Sequence, residues 1–122
     1  MHILVVEANK ELGQIWCNHL KRQGETPVHV TTEDAAIDAL RFTPFDVLVL
    51  DLMLPDASAL AICDYAAYRL PDISIVIVSA SNFFSDGSLF ELIPNARGML
   101  HSPVKPDDLA AMVEHYGRSK RA

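Results

Sequence analysis

Three residues with oxygen-bearing side chains come at the ends of short apolar runs in this sequence. Glu7 follows ILVV, Asp51 follows VLVL, and Ser79 ends the run ISIVIVS. Two carboxylates and a hydroxyl are hard oxygen ligands of the kind that Mg²⁺ prefers, and a carboxylate beside Mg²⁺ can act as a nucleophile toward a phosphoryl group. The alternative is that Asp51 only caps a turn, as carboxylates at strand ends often do. The choice between them depends on whether the fold brings the three residues together.

Five apolar runs are candidate strands. The fourth run is apolar on both faces, which predicts a central strand of a parallel sheet. The second run contains Pro27, which restricts it to an edge or to the start of a strand. The five predicted strands are His2–Val6, Thr26–Val30, Phe45–Leu50, Ile73–Ser79 and Arg97–His101.

Helical patterns follow each of these runs. In the first helix the apolar spacing predicts that Ile15 and Trp16 face inward, and in the third it predicts the same of Leu60 and Cys63. The predicted helices begin at an Asn9 cap and stop at Gly24, run from a Thr31 or Thr32 cap to about Phe42, run from a Ser58 cap to Pro71, span 86–93, and surround 109–116.

Five strand–helix pairs predict a doubly wound α/β fold, with a five-stranded parallel sheet and helices on both faces, as in flavodoxin-like proteins. A TIM barrel would need about twice this length. In doubly wound sheets, sites form outside the carboxyl ends of the central strands. Glu7, Asp51 and Ser79 should therefore converge at one rim, and His101 and Ser102 should lie at the end of the fifth strand.

The composition predicts one globular domain. The chain has 122 residues, half of them hydrophobic, and we assign 1–117 to the domain and 118–122 to a basic C-terminal tail. The net charge of -6 argues against nucleic acid as the main partner. No apolar run approaches the length of a membrane span, so we expect no membrane association. The two cysteines predict buried, reduced thiols in a cytoplasmic protein.

The stretch DVLVLDLMLPDASAL, residues 46–60, resembles a known motif in which a buried strand ends in an acceptor aspartate and a D-x-x-L/M-P loop follows. Ser79 and the alanine after it fit the same family's [S/T]-A pair. The chain is thus similar to response-regulator receiver domains, the phosphoacceptor modules of two-component signalling. The resemblance implies an aspartyl phosphate on Asp51 and a hydrogen bond from Ser79 to the phosphoryl group. It also implies an Mg²⁺ ion held by Glu7, Asp51 and the backbone carbonyl of Met53.

Two positions depart from the family's pattern. Receivers usually carry two adjacent acids after the first strand, where this chain has Glu7 and Ala8. They also carry a lysine–proline step after the fifth strand, where it has Ser102 and Pro103; Lys105, three residues later, is the other candidate for the lysine. Losing an acid should weaken Mg²⁺ binding, and losing the lysine removes a charge-assisted hydrogen bond to the phosphoryl group. Because the family's step is commonly cis, we expect a cis Ser102–Pro103 bond.

Several apolar residues are candidates for a switch or a partner surface. Met99 occupies the position where receivers often have a switching aromatic residue, and two adjacent aromatics lie in the otherwise polar stretch SASNFFSDGS. Receivers often use the fourth helix, fifth strand and fifth helix as their output face. The candidates on these surfaces are Met99, Phe83, Phe84, Phe90 and Tyr116.

Two functions remain open. The chain is either a stand-alone receiver that accepts phosphate on Asp51, inefficiently, or a pseudo-receiver that acts as a phosphorylation-independent adaptor. The upstream partner would be a histidine kinase or a phosphotransfer protein, and the downstream target an unknown protein. We expect no enzyme activity beyond self-catalysed phosphorylation. A haloacid-dehalogenase-like phosphatase would need an aspartate at Met53, and a nucleotide-binding enzyme would need a Gly-rich loop after the first strand.

Overall fold

The computed structural model describes residues 1–54, 59–80 and 91–121, and the side chains of residues 118–121 lie outside this description. Within these ranges the elements are β1 (His2–Val6), α1 (Lys10–Arg22), β2 (Thr26–Val30), α2 (Glu33–Phe42), β3 (Val47–Asp51), α3 (Ala59–Arg69), β4 (Ser74–Ser79), β5 (Ala96–His101) and α4 (Pro106–Arg121). A helix follows β1, β2, β3 and β5, as predicted. Most of the predicted helix at 86–93 lies outside the described residues.

The five strands form one sheet in the order β2-β1-β3-β4-β5, and every pair of neighbours is parallel. The predicted fold class is therefore confirmed. β2 lies at an edge, where Pro27 is tolerated because one side of the strand needs no hydrogen bonds. All six residues of β4 are buried, in agreement with its prediction as a central strand.

Local sequence signals set the helix ends. The Asn9 side chain accepts a hydrogen bond from the backbone N–H of Leu12, and the Thr32 side chain accepts one from the N–H of Ala35. Both are N-caps that satisfy a donor left open by the first helical turn. Gly24 has a positive φ of 89° just after α1, a backbone conformation that glycine adopts readily. The predicted Ser58 cap lies outside the described residues.

The core consists of two clusters, one on each face of the sheet. Leu4 and Val6 of β1 point into the cluster beneath α2 and α3, whereas Ile3 and Val5 point into the one beneath α1 and α4. This alternation along a strand is the two-residue period of a sheet that is covered on both faces. Trp16 is fully buried in the second cluster, as predicted.

The prediction that Ile15 and Leu60 face the core is wrong. Ile15 is 52% exposed and Leu60 is 45% exposed. Successive helical residues are about 100° apart, so a neighbour of a buried residue often lies outside the buried stripe. The buried face of each helix consists of other residues. These are Gly13, Trp16, Cys17 and Leu20 in α1, and Ile62, Cys63 and Ala66 in α3.

The last helix continues across the predicted domain boundary. α4 extends to Arg121, so its helical backbone includes most of the stretch assigned to a basic tail. The boundary at residue 117 itself stays a prediction. Cys17 and Cys63 are buried free thiols, as expected. No helix in the described ranges is long and apolar enough to cross a membrane.

Candidate functional site

The sheet brings Glu7 and Asp51 together at the carboxyl ends of β1 and β3. In the register of these two strands Val6 stands opposite Leu50, so the next residues, Glu7 and Asp51, extend from the same edge. The two carboxyl groups interact, because Asp51 contributes to raising the pKa of Glu7. The predicted convergence of the two acids at one rim is therefore observed.

The Glu7 carboxyl group is buried, with only 3% of the residue exposed. Its Oε1 accepts a hydrogen bond from the backbone N–H of Asn9 at 3.0 Å, whereas Oε2 is buried and no donor reaches it. Burial, followed by the contact with Asp51, raises the pKa of Glu7 to about 8, although the Asn9 N–H opposes the shift. Without a cation, Glu7 therefore holds a proton near neutral pH. This proton removes the repulsion that two neighbouring carboxylates would otherwise have.

Asp51 is half-buried and begins the turn after β3. Its Oδ1 accepts a hydrogen bond from the backbone N–H of Met53 at 2.8 Å. This contact is the one expected of a turn-capping aspartate, so the capping interpretation describes part of what Asp51 does. The same carboxyl group also interacts with Glu7, whose pKa it helps to raise. The Met53 side chain is 60% exposed and lies beside this edge of the sheet.

Ser79 ends β4 one position beyond Val78, which stands opposite Asp51. The residue is 1% exposed. Its carbonyl oxygen accepts hydrogen bonds from the backbone N–H of Ser102 at 3.0 Å and from Nδ1 of His101 at 2.8 Å. The fifth strand is therefore tied to the fourth at the rim where Asp51 lies.

Ser102 follows β5 directly, and the Ser102–Pro103 bond is cis, as expected. The Ser102 side chain is exposed. Lys105 is also exposed and lies at the start of α4, where its carbonyl accepts a hydrogen bond from the Leu109 N–H at 3.1 Å. Whether Lys105 replaces the missing lysine stays a prediction.

The predicted switch and partner residues divide into two groups. Met99 is half-buried against the cluster beneath α2 and α3. Tyr116 is half-buried on the other face and lines an open groove of about 400 Å³ between β5 and α4. Phe83, Phe84 and Phe90 lie outside the described residues, so their predicted contacts stay predictions.

Sequence analysis missed His29. Its ring Nε2 lies 2.9 Å from the backbone carbonyl oxygen of Glu7. A glycine inside a helix costs about 1 kcal/mol relative to alanine, so Gly13 within α1 was a signal that something approaches closely. The sequence did not show that the approaching group is His29.

The chain matches the family model of the response regulator receiver domain over residues 3–114. The chain belongs to this family. Receiver domains are signalling modules of two-component systems rather than enzymes in their own right. A relative, the transcriptional regulatory protein BaeR of Escherichia coli O6:H1, is 33% identical to this receiver domain over 112 residues. The match covers 92% of this chain and 46% of BaeR, so the chain spans less than half of that relative.

Solved structures share the receiver fold. A CheY-like receiver domain protein from Methanospirillum hungatei superposes with a TM-score of 0.89 at 19% identity, covering 98% of this chain and 95% of the other. A response regulator protein from Burkholderia pseudomallei, whose crystal structure contains a phosphorylated aspartic acid, a calcium ion and citrate, gives a TM-score of 0.82 at 17% identity, covering 98% of this chain and 70% of the other. At these identities the likeness concerns the fold.

The donor atoms at the rim fit a small, hard cation. Glu7 and Asp51 supply carboxylate oxygens, and Glu7 Oε2 is a buried acceptor that lacks a donor. In the part of the chain that the structure describes, no group of three or more His, Cys, Asp or Glu side chains gathers around one point. A two-carboxylate site of this kind suits Mg²⁺, which usually keeps several waters and takes one or two carboxylates from the protein.

Proposed function

We propose that this receiver domain accepts a phosphoryl group on Asp51, slowly, from a histidine kinase or a phosphotransfer protein. The observation that carries the proposal is the placement of the buried Glu7 carboxyl group and of Asp51 at the same edge of the sheet, beyond the carboxyl ends of the paired strands β1 and β3. A buried carboxylate oxygen that no donor reaches, such as Oε2 of Glu7, is costly for stability. A cation bound between the two acids accounts for the retention of Glu7 at this position.

The proposed chemistry is an in-line phosphoryl transfer. A carboxylate oxygen of Asp51 attacks the phosphorus atom, the bond from phosphorus to the donor's leaving group breaks, and that group departs with the bonding electron pair. The Ser79 hydroxyl hydrogen-bonds a phosphoryl oxygen. The Asn9 N–H keeps Glu7 oriented through its 3.0 Å bond to Oε1.

Glu7, Asp51 and the Met53 carbonyl oxygen would hold the Mg²⁺, whose chemistry here is to neutralise charge on the phosphoryl oxygens. We expect weak binding because the acid usual at position 8 is replaced by Ala8. Titrating Mg²⁺ while following the backbone amide signals of Ala8 and Asn9 should therefore give half-saturation well above 10 μM, roughly in the range of weak sites. Saturation at low micromolar concentrations would contradict a two-carboxylate site.

Intact mass after incubation with Mg²⁺ and a small acyl-phosphate donor tests the proposal. The wild-type chain should gain the mass of one phosphoryl group, and Asp51→Asn should gain none, because its amide is not a nucleophile. Asp46→Asn is a matched control, since Asp46 lies at the opposite end of the sheet, where its carboxylate accepts from the His2 N–H at 2.9 Å. A gain that survives Asp51→Asn would show that another residue is the acceptor.

The second candidate is the pseudo-receiver that acts as an adaptor. It is favoured by the neutral residues at Ala8 and Ser102, where receivers usually carry an acid and a lysine. In that case wild type gains no mass with any donor, and the folded domain binds its protein target equally well with and without Mg²⁺.

A further inference from the structure

His29 connects the edge strand β2 to the end of β1 that carries Glu7. Its ring is partly buried, and Nε2 lies 2.9 Å from the Glu7 carbonyl oxygen. Because a carbonyl oxygen only accepts, Nε2 carries the hydrogen and donates it. The backbone N–H of Glu7 donates in turn to the Val30 carbonyl oxygen at 3.1 Å. Both polar groups of the Glu7 backbone are therefore held by β2, one by its main chain and one by a side chain.

The space for this ring is made by α1. A β-carbon on Gly13 would collide with three atoms of the His29 imidazole. Gly13 lies inside the helix and is buried, where alanine would be the better helix former. The glycine therefore matches the histidine, and the two residues form a complementary pair next to the backbone of Glu7.

We propose that His29 is a positioning residue that holds Glu7 in place for Mg²⁺ binding at Asp51. This inference rests on the proposed function. The His29 ring holds the Glu7 main chain through its carbonyl oxygen, and the Asn9 N–H holds the Glu7 side chain through Oε1 at 3.0 Å. The main chain and the side chain of the proposed metal ligand are therefore each held by a hydrogen bond. Outer groups that orient a metal ligand typically change metal affinity by about tenfold or more when they are lost.

The test compares substitutions that keep or remove the donor. His29→Gln places an N–H donor at a similar reach, whereas His29→Met has a similar length without a donor. His29→Met should weaken Mg²⁺ binding about tenfold, and His29→Gln should stay within about threefold of wild type. Equal weakening in both, at similar unfolding midpoints, would show that the ring only fills space and would overturn the proposal.

A metal-free measurement separates this proposal from the proposed function. The ¹³C signal of the Glu7 carbonyl reports the hydrogen bond directly, so it should shift in His29→Met and return toward the wild-type position in His29→Gln. If the three proteins show this pattern but wild type binds no Mg²⁺ and accepts no phosphate, the proposed function is wrong. The hydrogen bond from His29 to the Glu7 carbonyl is then confirmed, but it does not support metal binding. If the carbonyl signal is the same in all three proteins, the positioning role is wrong.

Gly13→Ala supplies an independent test, because it should change the thermal midpoint in opposite directions in two backgrounds. Gly13→Ala in the wild-type background should lower the thermal midpoint and shift the Glu7 carbonyl signal, because the new methyl group displaces the ring. In a His29→Ala background the same substitution should raise the midpoint, since the space is empty and alanine favours the helix. Stabilisation by Gly13→Ala in both backgrounds would show that the two residues are not a matched pair, and would contradict the proposal.

Discussion

Replacing Glu7 with glutamine is expected to stabilise the folded domain at pH 8 by a few kcal/mol and to leave its stability at pH 5 nearly unchanged. Burial and the Asp51 contact raise the pKa of Glu7 from 4.5 to about 8. Between these values the folded state holds a proton that the unfolded chain has released. Stability contributed by this proton is complete below pH 4.5 and is lost as the pH rises toward 8, by roughly 1 kcal/mol per pH unit.

Glutamine removes this titration while it keeps the local contacts. Its side-chain oxygen can still accept from the Asn9 N–H, and its amide can donate to Asp51. The measurement is the free energy of unfolding of wild type and Glu7→Gln at several pH values between 5 and 9, in a buffer without divalent cations. The histidines titrate in both proteins, so their contribution cancels when the two free energies of unfolding are subtracted. Glu11→Gln, an exposed acid on α1, is the matched control and should show no such difference. A constant difference across the range would contradict the raised pKa.

Restoring both missing groups is expected to speed phosphorylation of Asp51 by tenfold or more. Ala8→Asp adds a third carboxylate beside Glu7 and should tighten Mg²⁺ binding, but without the cation it should lower stability, because the carboxylates repel one another. Ser102→Lys adds a positively charged side chain at the residue whose backbone N–H donates to the Ser79 carbonyl oxygen. A charge-assisted hydrogen bond contributes about 1.5–3 kcal/mol, which corresponds to roughly tenfold to a hundredfold in rate.

The two substitutions share one site, so their effects should not add. Ser102→Lys alone should stabilise the metal-free domain and do little for metal binding, and the double variant should accept phosphate faster than either single variant. Ala8→Asn and Ser102→Met are controls of similar size without charge. Rates measured with one acyl-phosphate donor decide the outcome. A double variant no faster than wild type would show that positions 8 and 102 are not where reactivity was lost.

The positions of the strands were predictable because a strand in a parallel sheet buried on both faces is a continuous apolar run with a polar residue at its end. β1 and the end of β4 follow this rule and agree with the predicted bounds. The bounds of the edge strand β2 also agree, although none of its residues is fully buried. The caps at Asn9 and Thr32 were readable because they act within three or four residues. The inward positions on the helices were less predictable. Ile15 and Leu60 are apolar, yet each lies outside the buried stripe, and which stripe is buried depends on how the helix packs against the sheet.

The sequence by itself determined the fold class, the rim at which Glu7, Asp51 and Ser79 end their strands, and the two departures at Ala8 and Ser102. The first two follow from local pattern and from the parallel order of the strands, whereas the departures rest on the resemblance to receiver domains. Only the tertiary structure decided that the Glu7 carboxyl group is buried against Asp51 with a raised pKa. It alone also placed His29 across Gly13 onto the Glu7 carbonyl oxygen. Both depend on contacts between residues far apart in the chain, where burial removes water and leaves each polar group dependent on the neighbours that the fold supplies.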